Sequence, residues 1–203
     1  SLPYRDDGRL VNLWSFNTKE NLPRNPLSPA NFLDFQKTNS TLDGLEGYFT
    51  FVTPAQLQAE TGTEILYSLF VTPNMFNVLG RRAALGRVFA VGEEQPLIVL
   101  SDGYWRRRFG ADPDIIGKPL TLNNTAFEVI GVMPPDFIFP YPGMLGPSGF
   151  TRVTGIDAWL PIAFSGPGAA QNRMLTQTGQ IVRNVHWFGA IGRLKSGVSA
   201  PQA

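Results

Sequence analysis

PLIVLSDGYWRRRFGADPDIIGKPLTLNNTAFEVIGVMPPDF, residues 96–137, is the stretch whose reading decides the fold. It predicts a strand, a short helix, a Gly-Pro loop and a hairpin in succession. Leu97 to Leu100 is a short apolar run of the kind found in a strand buried on both faces. Ser101 fits a helix N-cap, its hydroxyl accepting from an amide of the first turn. Trp105 and Phe109 are four apart and share a helical face. Gly110 stands where a left-handed residue ends a helix. In the hairpin, Leu120 and Leu122 lie on one face of the first strand, Phe127 and Val129 on one face of the second. A two-residue turn at Asn123-Asn124 pairs Leu120 with Phe127 and turns all four side chains the same way, whereas an odd-length loop breaks that arrangement. Pro134-Pro135 has no amide hydrogen and ends the ladder. Nothing in this β-rich unit is a catalytic group.

Towards the N-terminus the chain repeats one signal. Ser28-Pro29 and Thr72-Pro73 each place a capping hydroxyl before a proline, the pattern of a helix start. The first predicts a helix with Phe32, Leu33 and Phe35 as its apolar stripe, ending near Asn39 to Asp43. The second predicts a helix with Met75, Phe76 and Leu79 on one face and Gly80 as its stop. Leu10–Phe16, Leu45–Val52 and Glu64–Val71 are strand candidates, with turn signals at Thr53-Pro54 and Thr61-Gly62. Arg81 to Phe89 has no clean period and is expected to cross between lobes. Towards the C-terminus, Asp157–Ile162 is a short strand, Gly166–Asn172 a small polar loop, and Val185–Leu194 a long strand carrying His186. Ser199 fits one further N-cap.

Composition narrows the function classes. Hydrophobic residues at 43% and charged residues at 16% suit a globular chain with a sizeable core. Seventeen basic against sixteen acidic residues give a net charge of +1, which argues against a nucleic-acid or anionic-membrane surface. Without cysteine there is no disulfide and no thiolate metal site. No apolar run approaches the roughly 20 residues that span a bilayer.

Motifs for chemistry are sparse. His186 is the sole histidine, and a packed or hydrogen-bonded strand histidine is its plain reading. Glu93-Glu94 and the pair Asp112 and Asp114 are the acidic pairs worth weighing for acid–base work. Asp112 before Pro113 is accounted for by turn chemistry, and Glu93-Glu94 by solvation. Gly103, Gly110 and Gly117 form neither GxGxxG nor GxxxxGK[ST], so no phosphate cradle is predicted. Arg106, Arg107 and Arg108 read as a solvated helix face. No cofactor is expected. The remaining candidate is the aromatic, proline-rich loop holding Phe137, Phe139, Tyr141 and Met144. It serves either as a plug between lobes or as an exposed docking patch for a partner.

The run VLSDGYWRRRFGADPDIIGK, then FEVIGVMPPDF, resembles the MacB-like periplasmic core domain of ABC transporter permeases, in the branch of duplicated orphan permeases. NPLSPANFLDFQKTNSTLDGLEGY, LFVTPNMFNVLGRRAALGRVF, DAWLPI and IGRLKSGVS occur in the family's order and extend the resemblance over almost the whole chain. It implies a non-catalytic periplasmic domain of an inner-membrane permease, joined to flanking transmembrane helices. It further implies a separate ABC ATPase subunit, in efflux members a periplasmic adaptor protein, and no nucleic acid partner. It also implies a further helix and strand opening at Ser199 before the membrane.

The expected fold is therefore α+β in two lobes. Residues 1–80 and 155–203 form a porter-like, βαβ-type layer, and residues 81–154 an inserted smaller β-rich lobe. Both chain ends are expected on one side of the fold. The alternative function is a ligand- or peptide-binding sensor head, which needs a well-formed cleft between lobes; a hydrolase needs His186 beside a hydroxyl and a carboxylate.

Overall fold

The computed structural model describes residue 4 and residues 7–17, 21–59, 62–141, 144–145, 155–164, 174–177 and 180–202. Strand β1 (Leu10–Leu13) is followed by a small hairpin of β2 (Ser15–Asn17) and β3 (Leu22–Asn25). Helix α1 (Pro29–Thr38) leads into β4 (Leu42–Phe49), then the long hairpin of β5 (Thr53–Ala59) and β6 (Gly62–Val71). Helix α2 (Met75–Leu79) and the short β7 (Leu85–Gly86) precede β8 (Leu97–Leu100) and α3 (Asp102–Phe109). The hairpin of β9 (Pro119–Leu122) and β10 (Thr125–Val132) comes next, then β11 (Ala158–Pro161). A short pair, β12 (Thr176–Gln177) and β13 (Gln180–Ile181), leads to β14 (Phe188–Leu194). The result is the expected mixture of helices and strands, with strands predominating.

Local chemistry explains most boundaries. The Ser28 hydroxyl accepts from the Asn31 amide at 3.1 Å and Pro29 opens α1. The Ser101 hydroxyl accepts from the Tyr104 amide, and Gly110 ends α3 with φ 59°. Asn123 and Asn124 both have positive φ, 48° and 67°, as a hairpin turn of matching twist requires. Leu120 pairs with Phe127 and Leu122 with Thr125, and Leu120, Leu122, Phe127 and Val129 all enter one core.

Four local expectations are corrected. Thr72 does not cap α2: Asn74 holds that position without a side-chain cap bond, because the Thr72 hydroxyl is already engaged with β4. Phe35 projects from α1 and is 45% exposed, leaving Phe32 fully buried and Leu33 packed beside it. Thr53-Pro54 begins β5 instead of forming a turn, and Arg81–Phe89 contains β7, which pairs with β10. Pro54 is tolerated there because its partner Tyr67 makes its main-chain bonds to Asp157, so the missing amide hydrogen leaves no ladder bond unmade.

Ten of the strands form one sheet that closes on itself at one end. β6, β11, β8, β10, β9 and β5 are hydrogen-bonded in that order, and β5 returns to β6, making a six-stranded barrel. Parallel pairs join β6 to β11 and β8 to β10; the remaining barrel pairs are antiparallel. Alternation sorts the side chains. Ile98 and Leu100 point into the cluster that holds Leu57, Leu66, Phe127 and Leu160, whereas Leu97 and Val99 join a second cluster with Met133 and Trp159. The β10 ladder shifts register between Val129 and Gly131, which lets Val132 return to the inner face. Gly131 is needed at this bulge because a Cβ there would fall on the Arg87 carbonyl.

The other end of the sheet is an antiparallel wing, β1-β14-β4. Helix α1 covers one face through Phe32, which meets Phe188 and Phe164; α2 covers the other through Met75, Phe76 and Leu79. Wing and barrel meet at a single residue pair of the sheet, Tyr48 of β4 with Val71 of β6. The boundaries expected at residues 80 and 155 cross the barrel, since β5, β6 and β11 come from the outer segments and β8, β9 and β10 from the inner one. The Gly166–Asn172 loop, apart from any structure it has, lies outside the described residues.

Candidate functional site

The aromatic loop is core. Phe137, Phe139 and Met144 are buried, Tyr141 is half-buried, and Ile138 is the exposed member of the group at 53%. Phe137 lies between Phe76, with ring centroids 5.7 Å apart, and Trp159, at 5.1 Å. Phe139 sits edge-on to Tyr48, and its carbonyl accepts from the Trp159 indole at 3.2 Å. Tyr141 meets Tyr4 edge-to-face. The Arg81 guanidinium stands over Phe137 and pairs with Asp136. This loop thus caps the second core over α2 and β11, and its aromatic rings are spent on packing.

The candidates for chemistry are dispersed. His186 lies before β14, not within it, and is exposed with Nδ1 3.1 Å from the Pro26 carbonyl. Glu93 is gripped by both nitrogens of the Arg87 guanidinium at 2.7 and 2.8 Å, which holds its carboxyl below the usual range, and it accepts from the Ala90 amide. Asp112 caps the turn at Pro113 by accepting from the Asp114 amide, which lowers its pKa with help from Lys118. Among the described residues no group of three metal-ligating side chains occurs.

The arginine run of α3 is structural. Arg106 pairs with Asp102, Arg107 with Asp157, and Arg108 with Glu64. Each guanidinium also stands over a ring of its own helix, respectively Trp105, Tyr104 and Phe109. Arg107 and Arg108 thereby strap α3 across the barrel to β6 and to the residue preceding β11. Asp157 completes this strap: its carboxylate accepts from the Tyr67 amide at 2.9 Å and its carbonyl accepts from Ser101.

Two features organise the molecule around the wing. The first is the meeting of the chain's two ends. Leu10 is paired with Arg193 and Leu13 with Ala190, so β1 enters the sheet where β14 leaves it. Arg9 donates from Nε to the Leu194 carbonyl at 2.9 Å and pairs with Asp43 at 2.8 Å.

The second feature, which sequence reading missed, is at the wing–barrel junction. Glu46 of β4 is only 6% exposed. Its carboxyl accepts from the Thr72 hydroxyl and, at 3.2 Å, from the Asn74 amide group. The same Thr72 hydroxyl accepts from the Gly47 amide at 2.9 Å, and the Thr72 amide donates to the Gly47 carbonyl at 2.8 Å. Burial pushes the Glu46 carboxyl up, against the lowering effect of Thr72 and Asn74. The available signal was a carboxylate between Leu45 and Tyr48, in the apolar half of β4; its partners, far off in the sequence, gave no periodic mark.

Comparison with known proteins follows the same outline. The profile for the MacB-like periplasmic core domain matches residues 3–203. No curated protein matches the chain. Among solved structures, the periplasmic region of MacB from Actinobacillus actinomycetemcomitans is similar with TM-score 0.58 and 13% identity, over 95% of this chain and 76% of that one. A domain of a putative permease protein from Porphyromonas gingivalis gives 0.62 and 16%, over 98% and 80%. The extracellular domain of the noncanonic ABC-type transporter YknZ from Gram-positive bacteria gives 0.53 and 12%, over 93% and 83%.

Proposed function

The chain belongs to the family of MacB-like periplasmic core domains, and from that premise we propose that it is the rigid extracytoplasmic head of an ABC-type permease. Its location is periplasmic. The head does no bond chemistry; it receives movement from transmembrane helices at its two ends and passes it to a substrate or partner outside the membrane.

The observation that carries this reading is the pairing of β1 with β14. A lever needs both attachments on one side of a stiff body, and here the strand that brings the chain in is hydrogen-bonded to the strand that takes it out. Force applied between them is resisted by a ladder of main-chain bonds, and force applied to both moves the sheet as a unit. The aromatic packing around Phe49, Trp187 and Phe188, with centroids 5.0 to 6.3 Å apart, supports stiffness in the wing itself.

A porter-like part made of residues 1–80 and 155–203, carrying an inserted β-rich part of residues 81–154, remains our division of labour. The first holds the membrane attachments and the second completes the barrel with β8, β9 and β10. Sharing a barrel, they move together. The partners proposed with this role are the flanking transmembrane helices, a separate ABC ATPase subunit and a periplasmic adaptor.

The test is made in the full-length permease. Purifying it under mild conditions should bring down an ATPase subunit, and replacing this domain by a flexible linker should abolish transport while ATP hydrolysis persists. Transport that survives the replacement would refute the lever.

A further inference from the structure

The junction between wing and barrel is narrow in sheet terms and carries a buried acid. Tyr48–Val71 is the one Cα pair that β4 and β6 share. Next to it, Thr72 bonds to β4 three times: its amide to the Gly47 carbonyl, its hydroxyl from the Gly47 amide, and its hydroxyl to the Glu46 carboxyl. Asn74, at the start of α2, adds the bond to the other carboxyl oxygen. Glu46 thus ties together the wing strand, the end of the barrel strand and the helix that lies over both.

We infer that this junction is a proton-dependent latch, held tight when the Glu46 carboxyl is neutral and slackened when it is ionised. In the neutral form the carboxyl still accepts from Asn74 and shares a hydrogen bond with the Thr72 hydroxyl, with no charge to solvate. In the ionised form two uncharged donors must replace a full hydration shell, and a carboxylate out of water is costly under those terms. Opening the junction to water relieves that cost, so ionisation favours opening.

Of the described groups that face Glu46, the guanidinium of Arg193 favours ionisation and the others carry no charge against it. On β4 itself, Tyr48 is two residues along the same face, a buried phenol whose hydroxyl donates to the Met144 carbonyl. On β14, Arg193 lies on the same face, with Nε donating to the Val78 carbonyl at 2.8 Å. Helix α2 presents Asn74 and Asn77, bonded to each other, and contributes no titratable side chain. The end of β6 presents Val71 and then Thr72. The raised Glu46 pKa, caused first by burial, agrees in direction.

The sign follows from linkage. A carboxyl whose closed-state pKa exceeds its open-state value stabilises the closed junction fully below the open-state value. That stabilisation is lost as pH rises through the closed-state pKa. Its use in coupling rests on the lever proposed above: the wing carries the attachments, and a slack latch would pass less of their movement to the barrel.

Hydrogen exchange on the isolated domain tests the latch without any transport assay. Protection of the Gly47 and Thr72 amides, measured relative to the Val129 amide of the barrel, should fall by up to about tenfold per pH unit while Glu46 titrates. The ratio should be flat in Glu46→Gln. A ratio independent of pH in the unaltered protein, or a slope that persists in Glu46→Gln, overturns the latch. Should that variant not fold, carbon-13 titration of the Glu46 carboxyl in the unaltered protein decides. A midpoint above the ordinary carboxylate range and coincident with the loss of protection supports the latch; an ordinary midpoint overturns it. Either failure leaves the lever standing, because neither measurement involves the chain ends. Loss of the lever, conversely, leaves the exchange result untouched.

Discussion

Arg9 donates its Nε hydrogen to the main-chain carbonyl of Leu194 at 2.9 Å, so the residue before the first sheet strand is bonded to the last residue of the final one. The bond spans 185 positions of sequence, and it closes the wing at the end where the chain comes in and goes out. Under the lever proposed above, this geometry would make one base of two tethers.

A disulfide offers a direct check of that base. Leu13 and Ala190 are directly opposed in β1 and β14, and opposed antiparallel residues have Cα atoms about 4.5–5.5 Å apart, within the range a disulfide bridges. Because the chain lacks cysteine, Leu13→Cys combined with Ala190→Cys should give a single intramolecular bond under air oxidation. Oxidation should raise the melting temperature, by the equivalent of about 2–4 kcal/mol. Free thiols that stay reactive in the folded protein would show the β1–β14 register to be wrong.

The barrel seam hangs on the hairpin tip. Asn123 donates its amide to the Gln56 carbonyl and accepts the Gln56 amide on its side-chain oxygen, both at 2.9 Å. Beyond these, Leu57 and Leu122 form the β5–β9 pair. Asn123→Ala removes the acceptor and puts a methyl group at a residue with φ 48°. We expect a loss of about 1–3 kcal/mol in urea unfolding, and the Gln56 amide should lose its exchange protection. Asn123→Gly should cost less, since it relieves the backbone while still lacking the acceptor.

Phe127 is buried among residues from both sides of the expected lobe boundaries. Phe127→Ala should cost about 3–5 kcal/mol. Because β5 and β6 close the same barrel as β8 to β10, the loss should appear as one calorimetric transition shifted downward. Two separated transitions, with only the upper unchanged, would mean that the inserted segment melts by itself.

His186 supplies the control for chemistry. It is exposed, with its ring nitrogen at the Pro26 carbonyl, so His186→Gln should alter stability by no more than about 0.5 kcal/mol. Transport by the full-length permease should be unchanged. A loss of transport with an unaltered melting curve would give the imidazole a part in function.

The Arg87–Glu93 pair has a consequence for acid stability. Glu93 holds a depressed pKa, first through its bonds to Arg87. Its contribution is therefore present above the unfolded carboxyl pKa and disappears as pH falls through the folded one. The guanidinium is half in water, so the pair is worth at most about 1 kcal/mol. Glu93→Gln should remove that amount near neutral pH and leave the difference from the unaltered protein near zero in strong acid, read from chemical denaturation at several pH values.

Local signals were legible because their causes are local. Ser28-Pro29 and Ser101 cap helices through bonds that span three residues, Gly110 ends a helix by its own backbone, and Asn123-Asn124 sets the hairpin register by turn geometry. Each can be read from a window of a few positions. Thr72-Pro73 failed as a helix start although its local signal equals that of Ser28-Pro29, because a partner 26 residues away, Glu46, took the hydroxyl first. His186 and Phe35 were misplaced for a related reason: apolar pattern says which residue types recur, not which neighbours arrive to cover them.

The sequence by itself determined the α+β character, the β9–β10 hairpin of the barrel wall and, through its ordered motifs, the family. The tertiary structure alone decided that β5 closes back on β6, that Phe137, Phe139 and Met144 are packed inward, and that an acid lies under α2 at the wing–barrel junction. The physical reason is range. Caps and turns are fixed by bonds within a few residues, whereas barrel closure, aromatic burial and the environment of a carboxyl depend on segments that meet only when the whole chain has folded.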